Sequence, residues 1–209
     1  MFSWIKFDKV PIIGIIRNIS SDAFERILPL YVNAEFSTIE VTMNTPGAES
    51  LIRKAKTMFG DSINIGAGTV CNLIDLQKAL DAGADFIVTP IIVTDVIEKC
   101  VAVDVPIFPG AFSPTEIYTA WSLGASMVKV FPASHLGPEF IQSVKAPFPH
   151  IKLMPTGGVG SDDLKRYKNA GADAFGIGSP LFPADLINNL NETNIFNHFK
   201  SFMEKWEQC

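Results

Sequence analysis

Cysteine, histidine and long apolar runs are what this chain has least of, and each shortage closes off a class of function. The three cysteines in 209 residues, Cys71, Cys100 and Cys209, are odd in number and far apart, with no CxxC pair. That pattern suits neither a disulfide framework nor a structural zinc site, and reduced thiols in a cytoplasmic protein are the simplest expectation. His135, His150 and His198 lack ligand spacing, so no metal is expected. No run approaches the roughly 18 apolar residues needed to span a bilayer, and the start, Met1 to Asp8, lacks a signal peptide's continuous apolar core. Positive charge is also short: 17 Lys and Arg against 22 Asp and Glu leave a formal charge of -5. A general nucleic-acid or membrane binder is therefore not expected, although a local basic pocket for a small anion fits such an average. There is no GxGxxG after the first strand, no GxSxG nucleophile motif, and no low-complexity stretch or linker.

What the chain does have is a regular alternation of apolar runs and helical periods. With 47% of residues hydrophobic, it has enough apolar content for one compact domain over residues 1–209. The runs predicted as strands are Pro11–Arg17, Phe36–Met43, Ile63–Ala67, Phe86–Thr89, Pro106–Pro109, Met127–Phe131, Lys152–Pro155 and Ala174–Ile177. Helical patterns fall near 21–33, 47–59, 72–82, 93–103, 114–123, 137–145 and 161–170, with a last one over 184–206. Residues 2–9 are expected to form a short N-terminal helix, with Phe2, Ile5 and Trp4 packing under the body. Eight strand–helix units predict an α/β fold, a (β/α)₈ TIM barrel, tight against the usual ~250 residues; a doubly wound open sheet is the alternative. Asp81-Ala82-Gly83-Ala84-Asp85 recurs loosely as Asn169-Ala170-Gly171-Ala172-Asp173, and Leu123-Gly124-Ala125 has the same shape. Each places a glycine where a left-handed helix cap is wanted before the next strand.

In a barrel of this kind the chemistry sits at the C-terminal ends of the strands, so polar residues there carry the functional reading. Within Met127-Val128-Lys129-Val130-Phe131, alternation puts Val128 and Val130 under the helices and Lys129 inside. A buried ammonium loses its proton, pairs with a carboxylate, or reaches water at the strand end; the first outcome yields an amine able to form a Schiff base with a ketone. In Thr38-Ile39-Glu40-Val41-Thr42, the same argument points Glu40 inward. A structural ion pair between the two is the plainer alternative, yet such a pair often stabilises no better than apolar packing would. Arg17 ends the first strand and Thr69 the third. A guanidinium at the mouth suits a carboxylate or phosphate, though a solvated strand end reads equally well. Gly157 and Gly158 follow the seventh strand, Gly178 and Ser179 the eighth. Such turns present backbone N–H groups to a phosphate or simply close tight loops.

Taken together, Ile39-Glu40-Val41-Thr42, Gly66-Ala67-Gly68-Thr69-Val70, Thr89-Pro90, Phe108-Pro109-Gly110, Lys129-Val130-Phe131-Pro132-Ala133 and Pro155-Thr156-Gly157-Gly158-Val159 resemble the 2-keto-3-deoxy-6-phosphogluconate / 4-hydroxy-2-oxoglutarate (KDPG/KHG) aldolase family. The resemblance runs over nearly the whole chain. It implies a class I aldolase that forms homotrimers of barrels, needs no cofactor or metal, and has a phosphorylated sugar acid and pyruvate as its small-molecule partners. It further implies Lys129 as the Schiff-base lysine and Glu40 as the acid/base carboxylate. Arg17 and Thr69 would hold the pyruvate carboxylate, Pro90 and Phe131 would line the pocket, Thr156 would touch the hydroxylated carbons, and Gly157, Gly158, Gly178 and Ser179 would cradle phosphate. The expected substrate is 2-dehydro-3-deoxy-6-phosphogluconate, with 4-hydroxy-2-oxoglutarate as a second. Many gluconate-type members carry an arginine four residues after the glutamate, where this chain has Asn44. Met43-Asn44-Thr45-Pro46 looks more like the phosphogalactonate branch, whereas Thr156 is the gluconate-type residue, so the C4 epimer stays open. A non-catalytic phosphosugar-binding barrel and a lysine-dependent decarboxylase are the remaining alternatives.

Overall fold

The computed structural model describes residues 1–209. Parallel strands alternate with helices along the chain. The strands are β1 (Ile12–Ile16), β2 (Thr38–Thr42), β3 (Asn64–Gly68), β4 (Ile87–Val88), β5 (Ile107–Phe108), β6 (Gly110–Ala111), β7 (Val128–Val130), β8 (Leu153–Pro155) and β9 (Phe175–Ile177). All eight expected strands are present. The fifth is divided at Pro109, which has no N–H to give to a ladder. The helices are α1 (Trp4–Lys9), α2 (Ser21–Asn33), α3 (Ala48–Phe59), α4 (Leu73–Asp81), α5 (Thr94–Ala102), α6 (Pro114–Ser122), α7 (Gly137–Lys145), α8 (Leu164–Asn169), α9 (Ala184–Asn189) and α10 (Glu192–Glu207).

The strands form a six-stranded sheet in the order β5-β4-β3-β2-β1-β9 and a three-stranded sheet in the order β6-β7-β8. Two seams join them. A parallel bridge links Thr156, just past β8, to Gly176 of β9. On the other side, the Ser126 N–H donates to the Ile107 carbonyl at 3.0 Å and the Lys129 N–H to the Pro109 carbonyl at 2.9 Å.

Alternation along these strands divides the core in two. Outward residues such as Ile39, Val41, Val128 and Val130 join the large cluster beneath the helices. Inward ones, Ile13, Phe86, Val88, Phe108, Met127 and Met154, make a second cluster with Phe2 and Phe7. The short N-terminal helix α1 therefore plugs the end of the interior where the strands begin. Ser3 caps it, and Asn64 clamps it by accepting from the Ser3 N–H at 2.7 Å and donating to the Ser3 carbonyl at 3.0 Å. The expectation that Ile5 packs inward fails, since Ile5 is exposed and Phe7 is the buried residue of this turn. Nor is the last helix continuous: Leu190 takes a left-handed φ of 46° and the Asn191 side chain caps α10 by accepting from the Asn194 N–H.

The loose sequence echo has a physical counterpart. Gly83 and Gly171 turn the chain with φ of 91° and 99°. The aspartate that follows each, Asp85 or Asp173, accepts from the N–H of Ile65 or Leu153 on the neighbouring strand. Each also takes a lysine from the preceding strand's helix or its equivalent, Lys56 at 2.8 Å and Lys145 at 2.6 Å.

Candidate active site

Strand alternation delivers the charged groups to one place. Glu40 on β2 and Lys129 on β7 face inward, 1% and 5% exposed, while their sequence neighbours pack under the helices. Arg17 lies one residue past β1, in phase with Ile13 and Ile15, and reaches the rim. None of the nine ion pairs in the molecule involves Glu40, Lys129 or Arg17. Glu40 and Lys129 thus form no closed salt bridge, which argues against the plainer reading of the pair.

Burial dominates the electrostatics of both groups. It pushes the Glu40 carboxyl up to about 7, against the opposing pull of Lys129 and Arg17. It holds the Lys129 ammonium below the ordinary lysine value, with Glu40 opposing and Arg17 reinforcing the shift. Each group is therefore moved toward its neutral form, as an imine-forming amine and a proton-exchanging carboxyl require. Glu40 Oε2 is the one buried side-chain nitrogen or oxygen without a hydrogen-bond partner. Such an atom costs about 1–3 kcal/mol when it is left unpaired, and a catalytic role is one of the few reasons that a fold keeps one.

Glycine makes room for that carboxylate. A Cβ on Gly68, which pairs with Thr42 across β2 and β3, would lie 2.2 Å from Glu40 Oε1. The next residue, Thr69, is β-branched and yet has φ of 58°, a conformation that such residues avoid unless their surroundings impose it. Its Oγ1 accepts from an Arg17 guanidinium nitrogen at 3.5 Å.

Above the pair opens a cavity of about 350 Å³ lined by Ile15, Arg17, Lys129, Phe131, Thr156, Gly157, Gly158, Gly178, Ser179, Pro180, Phe182 and Ala184. Eight of the eleven residues singled out from the sequence line it. Glu40 is outside the lining but interacts with Lys129 and Arg17, which are in it, and Thr69 joins through Arg17. Pro90 does not: it lines a neighbouring depression that shares Phe131 with the cavity. The Lys129 Nζ stands 4.9 Å from the centre of the Phe131 ring, close enough for the π-face to interact with its charged form. Consecutive left-handed glycines, Gly157 and Gly158 at φ of 89° and 76°, bend the chain after β8. A side chain at 158 would strike Ser134, whose Cβ would be 2.6 Å away.

Pro180, Phe182 and Ala184 escaped the sequence reading because they follow the last strand, where no periodicity marks a wall. Cys71, expected as a plain reduced thiol, is pushed up by burial and Asp75, with Lys129 opposing. No cluster of three or more His, Cys, Asp or Glu side chains converges on one point.

The family model described as KDPG and KHG aldolase matches residues 5–198. A 2-dehydro-3-deoxy-6-phosphogalactonate aldolase of Escherichia coli is 34% identical over 177 residues, 84% of this chain and 86% of that protein. A 2-dehydro-3-deoxy-phosphogluconate aldolase of Haemophilus influenzae is 32% identical over 164 residues, 77% of each. Among solved structures, one described as native KDPGal superposes with a TM-score of 0.89 at 30% identity, covering 96% of both chains. A KDPG aldolase from Legionella pneumophila, with pyruvate captured as a covalent carbinolamine intermediate, gives 0.87 at 26% identity over 94% of this chain and 96% of its own.

Proposed function

The chain belongs to the KDPG and KHG aldolase family, and from that premise we propose that it is a class I aldolase cleaving a 2-keto-3-deoxy sugar acid 6-phosphate to pyruvate and glyceraldehyde 3-phosphate. The observation that carries the reading is a buried lysine lining one cavity and a buried carboxyl that interacts with it, neither held in an ion pair and both shifted toward neutrality. Neutral Lys129 adds to the C2 ketone, and loss of water gives the iminium. Glu40 then takes the C4 hydroxyl proton, directly or through water, as the C3–C4 bond breaks. The aldehyde leaves, and the bonding electrons pass into the iminium as an enamine. Protonation at C3 and hydrolysis of the imine release pyruvate and restore the amine. Arg17, with Thr69, holds the carboxylate; Phe131 walls the reacting carbons and Pro90 backs that wall; Thr156 meets the hydroxyls; Gly157, Gly158, Gly178 and Ser179 receive the phosphate.

The same reading takes the two sheets as one closed (β/α)₈ barrel in a single domain over 1–209, supported by the hydrogen bonds at both seams. It also takes the active form to be a cytoplasmic homotrimer, which sedimentation checks. For the sugar, the gluconate and galactonate epimers at C4 each have named relatives at similar identity. Thr156 favours the first and Asn44 the second. Turnover of the two epimers side by side decides between them.

Borohydride added with pyruvate is expected to leave a covalent increment on Lys129, located by peptide mass; an unchanged intact mass would overturn the imine. Pyruvate release followed with lactate dehydrogenase separates turnover from mere binding. Glu40→Gln should slow cleavage by about 10²–10⁴-fold while imine trapping persists, and unimpaired cleavage would remove Glu40 from the proton transfer.

A further inference from the structure

Between the ends of β1 and β2 lies a buried hydroxyl pair that the cavity does not include. Thr45 closes a turn off β2, its N–H donating to the Thr42 carbonyl at 2.9 Å. Thr45 is 3% exposed. Its Oγ1 stands 3.1 Å from Thr42 Oγ1 and accepts from the Asn18 N–H at 3.0 Å. Thr42 is two residues along the interior face from Glu40, and Asn18, at φ of 53°, comes directly after Arg17.

A hydroxyl is what this place requires. One lone pair of Thr45 takes the Asn18 N–H, while a second hydrogen bond, in either direction, ties it to Thr42. Valine would fill the same volume but leave the amide without an acceptor and Thr42 without its neighbour. Asparagine tolerates the left-handed region better than most residues, and the bond fixes Asn18 there.

That restraint bears on the one guanidinium lining the cavity. Arg17 forms no ion pair, and its only side-chain hydrogen bond is the 3.5 Å contact with Thr69. Neighbouring side chains do little to aim it, so its direction follows from the backbone at 17–18. Asn44 supplies no second cation.

We propose that Thr45 is a positioning residue: by tying the Asn18 backbone to the inner face of β2, it aims Arg17 at the anionic end of the substrate. The inference rests on the aldolase reading. It is tested with Thr45→Val and Thr45→Ser, measuring the pyruvate concentration that half-saturates borohydride trapping on Lys129, together with KM and kcat for cleavage. Valine should raise the half-saturating pyruvate and KM by about five- to tenfold, with maximal trapping and kcat retained, and serine should restore the wild-type values. In an Arg17→Ala background the valine substitution should add nothing further, because both changes remove the same contact. If Thr45→Val does not fold, Thr42→Val takes away the brace behind Thr45 and should shift the same constants in the same direction by a smaller factor. Unchanged constants, additive losses in the double variant, or no rescue by serine overturn the proposal while wild-type trapping leaves the aldolase reading intact. Wild type that traps no pyruvate overturns that reading and this one with it.

Discussion

At the end where the strands begin, Phe2, Phe7, Phe86 and Phe108 fill the interior with ring centres 5.3–6.3 Å apart, and Asn64 and Thr38 satisfy each other and the plug helix. At the other end of the same strands, Glu40 keeps an oxygen with no partner and Lys129 has no counter-ion in contact. The floor is finished as any core is finished. The mouth is held in an arrangement that packing alone would not select, and the rest of the fold must stabilise it. The difference teaches where substitutions should show themselves: floor changes in stability, mouth changes in chemistry.

Lys129→Ala should break the comparison most visibly. Without an amine there is no imine, and turnover should fall by about four orders of magnitude or more. The melting temperature should hold or rise, because a buried ionisable group is gone; a large drop in melting temperature would make Lys129 a structural residue instead. Phe108→Ala should do the reverse. Emptying a fully buried ring site is expected to cost about 3–5 kcal/mol of stability in denaturant titrations. Half-saturating pyruvate in the folded fraction should not move.

Gly68→Ala lies between these extremes. The new methyl must displace the Glu40 carboxylate by about 1 Å, which is expected to lower cleavage about a hundredfold while borohydride trapping on Lys129 survives. Equal loss of both would place the damage in the fold. The smallest effect concerns the pH dependence of stability. Folded Glu40 holds its proton up to about 7, whereas in the unfolded chain it would release it near 4.5. Between those values the folded state binds more protons, so this group's contribution falls as pH rises and levels off above about 7. Glu40→Gln should therefore match wild type in melting temperature at low pH and gain on it progressively toward pH 8. A constant difference would mean that Glu40 is not buried as described.

Much of this was legible in the sequence because the rules that write it are local. Period-two alternation places Glu40 and Lys129 inside, and the helices predicted near 21–33 and 114–123 begin at side-chain caps, Ser20 and Ser113, the latter in a full capping box. Gly83 and Gly171 marked helix ends. Other features depend on contacts that no local pattern encodes. Thr69 is left-handed at φ of 58°, which its β-branched side chain argues against. Pro90 was grouped with the pocket, but it stands one depression away. The break before α10 did have a signal, Asn191 followed directly by an acidic first turn, which the continuous helical period across 184–206 concealed. How β8 meets β9 through a single bridge also lay outside sequence reasoning, since pairing across that seam is a property of the assembled sheets.

The space that Gly68 cedes to the Glu40 carboxylate ties two positions of the chain together through evolution. A descendant that gave up cleavage and lost its carboxylate at 40 would be released from keeping glycine at 68, and drift would refill that position with a larger residue. A side chain at 68 together with loss of the carboxylate at 40 would thus mark retirement, readable in a genome before a single assay is run.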